Sequence, residues 1–266
     1  MITIAVANNK GGVGKTTTAV NLAGVLHSQG RKCLVIDLDP QGTASRFLLD
    51  RYGTDGRTTY DVLVHQKPLE EIVEQSPAGI PIAPCNFNSA SLDLDMASAL
   101  GREYRLAAAL EGFTGYDYVL IDCPTYLGLA NVNAIAVADC VVIPIECAPE
   151  SWEAVPYLMR QLKRFLEQLK RQIAIFALPT MLERTNIAGD VHEEIKKHFE
   201  SYTLSPIHKN VKVKEAFNAR QPVIQYDPTA SGTVDYLRAT KEIVSEINPE
   251  TEVRRGKERR GNRRRD

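Results

Sequence analysis

Nowhere does the chain run to the roughly twenty consecutive apolar residues that span a bilayer, so no transmembrane helix is expected. It lacks a basic region ahead of its first apolar run, Met1 to Ala7. That run therefore reads as a buried strand and not as a signal peptide. Cysteines are few and odd in number (Cys33, Cys85, Cys123, Cys140 and Cys147), and no two form a C-x-x-C pair. A zinc or iron–sulfur site and a disulfide framework are thereby disfavoured, and the cysteines read as small buried hydrophobes in a reducing compartment. No Pro/Ser-rich linker interrupts the first 250 residues, and no internal repeat is present. Net charge is nearly absent too, at −1, but the balance is uneven. Val253 to Asp266 carries +6, which leaves −7 on the rest. That arginine-rich end has no apolar periodicity and cannot offset its ordering entropy. One domain over 1–250 is expected, followed by a basic, disordered tail over 251–266.

What is present is an alternation of short apolar runs and helical patterns. Ile2 to Ala7, Lys32 to Leu38, Tyr118 to Asp122, Cys140 to Ile145 and Ile173 to Pro179 are too short for helices and apolar on both faces. Thr16 to Gln29, Arg102 to Glu111, Leu129 to Val137, Trp152 to Leu169 and Ile187 to Phe199 carry helical patterns. The expected fold is α/β: a mostly parallel, twisted sheet with helices on both faces.

The strongest local signal lies between the first strand and the first helix. Lys10-Gly11-Gly12-Val13-Gly14-Lys15-Thr16-Thr17 is a glycine loop that opens a helix. Glycines let the backbone approach a phosphate, and successive N–H groups at the helix start supply positive potential. Lys15 is placed to reach the β- and γ-phosphates, and the Thr16 hydroxyl to ligate Mg²⁺. Asn9 stands where the first glycine of such a loop is usual. Two acidic positions complete the pattern. Asp37 and Asp39 sit at the end of the second strand, where alternation puts them on one face. Asp122 closes the run Tyr118-Val119-Leu120-Ile121 and offers a carboxylate to a metal shell. A turn aspartate is the competing reading of Asp39, since Pro40-Gln41-Gly42 follows.

The string from Lys10 to Thr17 resembles, residue for residue, the deviant Walker A box of the ParA/MinD family of P-loop ATPases. Asp37-Leu38-Asp39-Pro40-Gln41-Gly42 and Asp122-Cys123-Pro124 are similar to further boxes of that family, with Thr125 where a second proline is usual. Weaker similarity continues through Arg184-Thr185-Asn186 and Ile207 to Ala216. The resemblance implies ATP and Mg²⁺ as cofactors, and binding of nucleotide by Gly11, Gly12, Val13, Gly14, Lys15, Thr16 and Thr17 with Asn210 near the adenine. It implies a metal shell of Thr16, Asp37 and Asp122, and a catalytic set of Lys10, Lys15 and Asp39. Lys10 would act across a homodimer formed on ATP, and Asp39 would position the attacking water. A solvated loop lysine is the competing reading of Lys10.

Within the family the pattern looks like the short ParA form, which implies non-specific binding of double-stranded DNA. Arg184, Lys212 and Lys214 are the candidate contacts, with a ParB-like adaptor that stimulates slow hydrolysis. The cargo would be a plasmid, a chromosome or a protein organelle, and the location cytoplasmic and nucleoid-associated. A second basic cluster, Lys163, Arg164, Lys170 and Arg171, reads more simply as solvated charge. The alternative function is a MinD-like regulator of division at the membrane surface, although the tail lacks the large apolar residues of a lipid-lying helix.

Overall fold

The computed structural model describes residues 1–247, so the expected tail and the boundary at 250 lie outside the described residues. A sheet of seven strands runs β1 (Ile2–Val6), β2 (Cys33–Asp37), β3 (Glu74–Gln75), β4 (Pro81–Ala83), β5 (Tyr118–Asp122), β6 (Cys140–Glu146) and β7 (Ala174–Thr180). Their spatial order is β3-β4-β2-β5-β1-β6-β7. Every pairing is parallel except β3 with β4. Strands β2 and β5 are buried along their whole length, which is why they read as continuous apolar runs.

Helices cover both faces. The glycine loop feeds α1 (Lys15–Ser28), which packs on one face with α2 (Thr43–Leu49), α6 (Val211–Asn218) and α7 (Ser231–Ile247) around Leu22, Leu26, Phe47 and Tyr236. The other face carries α3 (Leu129–Val137), α4 (Val155–Leu169) and α5 (Asn186–Phe199), with Ile135, Leu158, Leu162 and Ile195 in its core. All five cysteines are free and buried. Burial pushes the Cys33, Cys85 and Cys147 thiols up to about 12, in keeping with inert packing groups.

Two expected elements are divided in the structure. The pattern over Trp152 to Leu169 splits into Pro149–Trp152 and α4, because Pro156 suits only the first turn of a helix. The Arg102 to Glu111 pattern becomes a 3₁₀ turn, Arg102–Tyr104, ahead of a helix over Arg105–Leu110. Strands β3 and β4 give no sequence signal, being two and three residues long.

This order places β1 at the topological switch point, where ligands bind outside the carboxyl ends of the strands. One close approach fixes α1 there. A Cβ on Gly24 would lie 2.3 Å from Pro222 Cβ, while the Val223 N–H donates to Asn21 Oδ1 at 2.7 Å. Overpacking costs about 1–3 kcal/mol, of which alanine's better helix propensity returns up to about 1. Gly24→Ala is therefore expected to lower stability by up to about 3 kcal/mol in urea unfolding, and a stabilised variant would contradict this packing.

Candidate functional site

The glycine loop is built from its two ends. Asn8, at the end of β1, donates from Nδ2 to the Pro144 carbonyl at 2.7 Å and accepts the Lys10 N–H at 2.9 Å. Further on, Thr180 at the end of β7 donates to the Val13 carbonyl at 2.9 Å, and Val13 is buried. Between these anchors Gly12 and Gly14 take φ of +79° and +92°, which a side chain would strain. A Cβ on Gly11, Gly12 or Gly14 would meet nothing within 4 Å, so the loop stands over open space. At the start of α1 the Thr17 carbonyl accepts Asn21 Nδ2 at 2.7 Å, which holds the first turn.

The sheet then brings three carboxylates to this loop. Asp122 ends β5 beside β1, and the Thr16 hydroxyl donates to its Oδ2 at 2.6 Å. Its Oδ1 is buried and has no hydrogen-bond partner among the described residues. Burial, with the charge of Asp37, holds the Asp122 carboxyl well above the usual carboxylate range. Asp37 ends β2 alongside and is fully buried. Its Oδ2 accepts the Ser45 N–H at 2.8 Å and the Ser45 hydroxyl at 2.7 Å, and its Oδ1 accepts the Asp39 N–H at 3.1 Å. Burial pushes the Asp37 carboxyl up to about 7 against those bonds. Asp39 lies two residues past the end of β2, close enough for its charge to act on Asp122, Lys15 and Asp37. Asp39 is half-buried on the turn, where its Oδ1 accepts the Gln41 N–H at 2.9 Å.

Lys15 is buried among these acids, and desolvation lowers its pKa although Asp122 and Asp39 pull it back up. Its ammonium donates to the Lys10 carbonyl at 3.0 Å and to Thr125 Oγ1 at 3.0 Å. Lys10 turns back within its own chain, with Nζ donating to Ser151 Oγ at 2.9 Å, and Ser151 Oγ lies 3.2 Å from Glu146 Oε2. Sequence reasoning passed over Ser45, Ser151 and Glu146, and noted Thr125 only as a departure from a motif. Hydroxyls and a carboxylate far apart in the chain give no local signal.

The residues fit a divalent cation with a phosphate. Thr16 and Asp122 offer two oxygens, one of them orphaned, at the foot of a loop of N–H donors. Among the described residues no group of three or more acidic, histidine or cysteine side chains could hold a metal by itself. A Mg²⁺ site of this kind takes its remaining ligands from phosphate and water. Asp37, the third residue expected in the metal shell, stands beside Asp122 with its oxygens accepting from Ser45 and the Asp39 N–H.

Farther out, Asn210 caps α6. Its Oδ1 accepts the Lys212 N–H at 2.7 Å and its Nδ2 donates to Ser231 Oγ at 2.6 Å. The loop carrying Arg184 pairs with the approach to α6, since Leu182 N–H donates to the Ile207 carbonyl and Lys209 N–H to the Leu182 carbonyl, each at 3.1 Å. Arg184, Lys212 and Lys214 are thus exposed on neighbouring segments. Lys212 is paired with Glu215 at 2.8 Å, whereas Arg184 and Lys214 have no ion pair among the described residues.

The AAA domain family (AAA_31) matches residues 1–175. The sporulation initiation inhibitor protein Soj of Bacillus subtilis is 36% identical over 247 residues, covering 91% of this chain and 98% of its own. The chromosome partitioning protein ParA of Caulobacter vibrioides is 37% identical over 251 residues, covering 91% and 93%. Among solved structures, cobyrinic acid a,c-diamide synthase from Mycobacterium smegmatis, with a bound ATP analogue and magnesium, superposes with a TM-score of 0.79 at 26% identity, covering 92% and 95%. McdA of Cyanothece, at 23% identity, shares the fold with a TM-score of 0.80 over 91% and 98%. The glycine loop at a parallel-sheet switch point, with carboxylates at the ends of β2 and β5, defines a P-loop nucleotide-binding protein. The chain belongs to the ParA/MinD family of P-loop ATPases, and its relatives make it a ParA-type member.

The Asp37–Ser45 contact is testable by pH. A carboxyl whose folded pKa of about 7 stands above its ordinary 3.8 takes up a proton on folding. Its contribution to stability is therefore most favourable at low pH and is lost as pH rises through that window. Ser45→Ala removes one donor to the ionised form, and also an acceptor for the Cys85 N–H at 2.9 Å. The expected loss is about 1–3 kcal/mol at pH 8, and less at pH 5 where Asp37 is protonated. Equal losses at both pH values in denaturant titrations would dissociate Ser45 from the Asp37 charge.

Proposed function

We propose that this chain binds ATP·Mg²⁺ on the Lys10 to Thr17 loop, dimerises in that state, and binds duplex DNA without sequence preference to position a cargo. A ParB-like adaptor would stimulate its slow hydrolysis of ATP. The observation that carries the reading is the orphaned Asp122 Oδ1 beside Thr16, at the foot of a loop held open by Gly12 and Gly14. Bound Mg²⁺ would neutralise charge on the phosphates and fix their orientation. Thr16 and Asp122 would hold the ion. Lys15 already sits in the site and would meet the phosphates with an ammonium that burial leaves poorly solvated. Asp39, on a tight turn at the mouth, would orient the attacking water.

Lys10 supports the dimer reading by its position and not by its present contact. To reach a partner's nucleotide it must release Ser151, a single hydrogen bond worth about 1 kcal/mol net. The DNA reading rests on relatives named for chromosome partitioning and on the pairing of the Arg184 loop with the approach to α6. Among the described residues no helix is long and apolar enough to cross a membrane.

Three measurements check this reading. Asp39→Ala is expected to bind ATP and dimerise while turnover falls about a hundredfold or more, the scale of lost water positioning; unimpaired turnover would remove Asp39 from the mechanism. Lys10→Ala is expected to bind nucleotide as a monomer in ATP sizing runs, and a full dimer would end the trans role. In a gel shift with ATP over a salt series, Arg184→Glu with Lys212→Glu should abolish duplex binding and spare the dimer. If the wild type ignores DNA with ATP and binds anionic liposomes, the MinD-like alternative replaces the DNA reading.

A further inference from the structure

The basic cluster of α4 does not lie on the nucleotide side. Because β7 runs parallel to β6 and so to β1, its first residue is at the opposite end of the sheet from the glycine loop, about 20 Å away. There α4 and β7 enclose a groove of about 800 Å³. Its floor is apolar, from Met159 and Leu166 on the helix and Ile173 and Ile175 on the strand side. Its rim is basic, from Arg160, Lys163, Lys170 and Arg171, opposed only by Glu167.

Three features separate this groove from an ordinary solvated face. The first is an open sheet edge. The Ala177 and Pro179 carbonyls point away from β6, accepting Leu204 and Ile207 N–H at 2.8 Å each, while the Thr180 carbonyl points toward β6 and accepts Cys147 N–H at 2.9 Å. Alternation then aims the N–H and carbonyl of Ile175 outward, two residues below Ala177, and no described residue is paired with them. The second feature is the fixing of the rim. Arg171 donates to the Ala136 and Ala138 carbonyls at the end of α3, which ties the entry of β7 down. Lys170 ends α4 with φ of +52°, a conformation in which glycine would be cheaper by about 1 kcal/mol, so a charge is kept there at a cost. The third is sign. The rim carries a net positive charge on a body whose net charge is −7 outside the Val253 to Asp266 end. Its one internal pair, Lys163 with Glu167 at 4.0 Å, is exposed and weak.

We propose that this groove docks an acidic, alternately apolar segment of a partner protein, added as a further strand to the edge of β7. Outward N–H and carbonyl groups of Ile175 would supply backbone pairing, Ile173 and Ile175 would take alternate apolar side chains, and the rim would take the acids between them. Charge excludes the nearer occupants. A second copy paired edge to edge would bring two basic rims together, and the chain's own Val253 to Asp266 end is basic too. Charges that only guarded a bare edge against aggregation would not leave two isoleucines half-buried in the groove. A DNA backbone would have no use for the apolar floor or the free strand edge.

The test uses the full chain and a fluorescein-labelled peptide alternating Glu and Val, with a Lys/Val peptide and a labelled DNA duplex as controls. Anisotropy should show the Glu/Val peptide binding with an affinity that falls with salt, and no binding of Lys/Val. Lys163→Glu with Lys170→Glu should weaken peptide binding about tenfold or more. Ile175→Pro deletes an N–H that β6 does not use, so it should keep the fold by circular dichroism and lose the peptide. If that variant does not fold, hydrogen exchange on the wild type reads the same contact, as slowed exchange of the Ile175 amide when peptide is added. The proposal is overturned if the Glu/Val peptide fails to bind at millimolar concentration, if Lys/Val binds equally, if the Ile175 amide is unprotected, or if charge reversal weakens duplex binding and leaves the peptide unaffected. None of these readings depends on ATP hydrolysis, so they stand or fall apart from the nucleotide site.

Discussion

Charge burial at the carboxyl ends of β2 and β5 is the constraint on which the rest of this structure depends. Asp37 and Asp122 are fully buried at adjacent register positions, and Lys15 is buried with them. Ionised groups out of water are costly unless paired and hydrogen-bonded. The chain meets that cost by geometry. The Ser45 hydroxyl and two backbone N–H groups serve Asp37, and Thr16 serves one oxygen of Asp122. One oxygen of Asp122 is left over. Burial holds both carboxyls above the usual carboxylate range in spite of these bonds. A cation held by Thr16 and Asp122 would offset the charge of that remaining oxygen.

Much of this was legible in the sequence because it is local. A β-branched run, a glycine loop and a helix in immediate succession fix the site without any long-range information, and the structure agrees with each of those elements to within a residue. Apolar runs at 118–122 and 129–137 were read with the bounds the structure shows. Strand β4 was not, because three residues that include Pro81 carry no periodicity, and their strand character comes from pairing with β2. Asp39 lies just past β2, where the Leu38 N–H still donates to the Asp122 carbonyl, and its turn is legible from Pro40-Gln41-Gly42 rather than from the strand pattern. Ser45 lies eight residues from Asp37 across a turn, and Ser151 is 141 residues from Lys10, so neither contact could be read from spacing.

Lys10 shows how a residue's present partner can differ from its candidate task. Its contact is with a hydroxyl, which leans in turn on Glu146, and among the described residues no carboxylate pairs with Lys10 directly. A direct buried ion pair would be costly to open, by about 3–5 kcal/mol when one partner is withdrawn. A single hydroxyl contact is not. The backbone of Lys10 is anchored meanwhile through Asn8, and its carbonyl holds Lys15. The side chain is therefore the free part of a fixed residue, the arrangement needed if it is to change partners without disturbing the loop.

The nucleotide loop and the candidate DNA surface also share a boundary. Thr180 closes β7 and holds the Val13 carbonyl through a buried hydroxyl. The chain then turns at Met181, with φ of +53°, into Leu182, which pairs with the Ile207 and Lys209 backbone on the way to Asn210 and Lys212. A shift of the glycine loop away from Thr180 would orphan that hydroxyl and cost about 1–3 kcal/mol. The segment that follows Thr180 in the chain is the one that carries Arg184. Contact alone does not make two sites cooperative; a difference in free energy between two arrangements does. Here the Thr180–Val13 hydrogen bond is the physical contact that joins the glycine loop to the segment carrying Arg184.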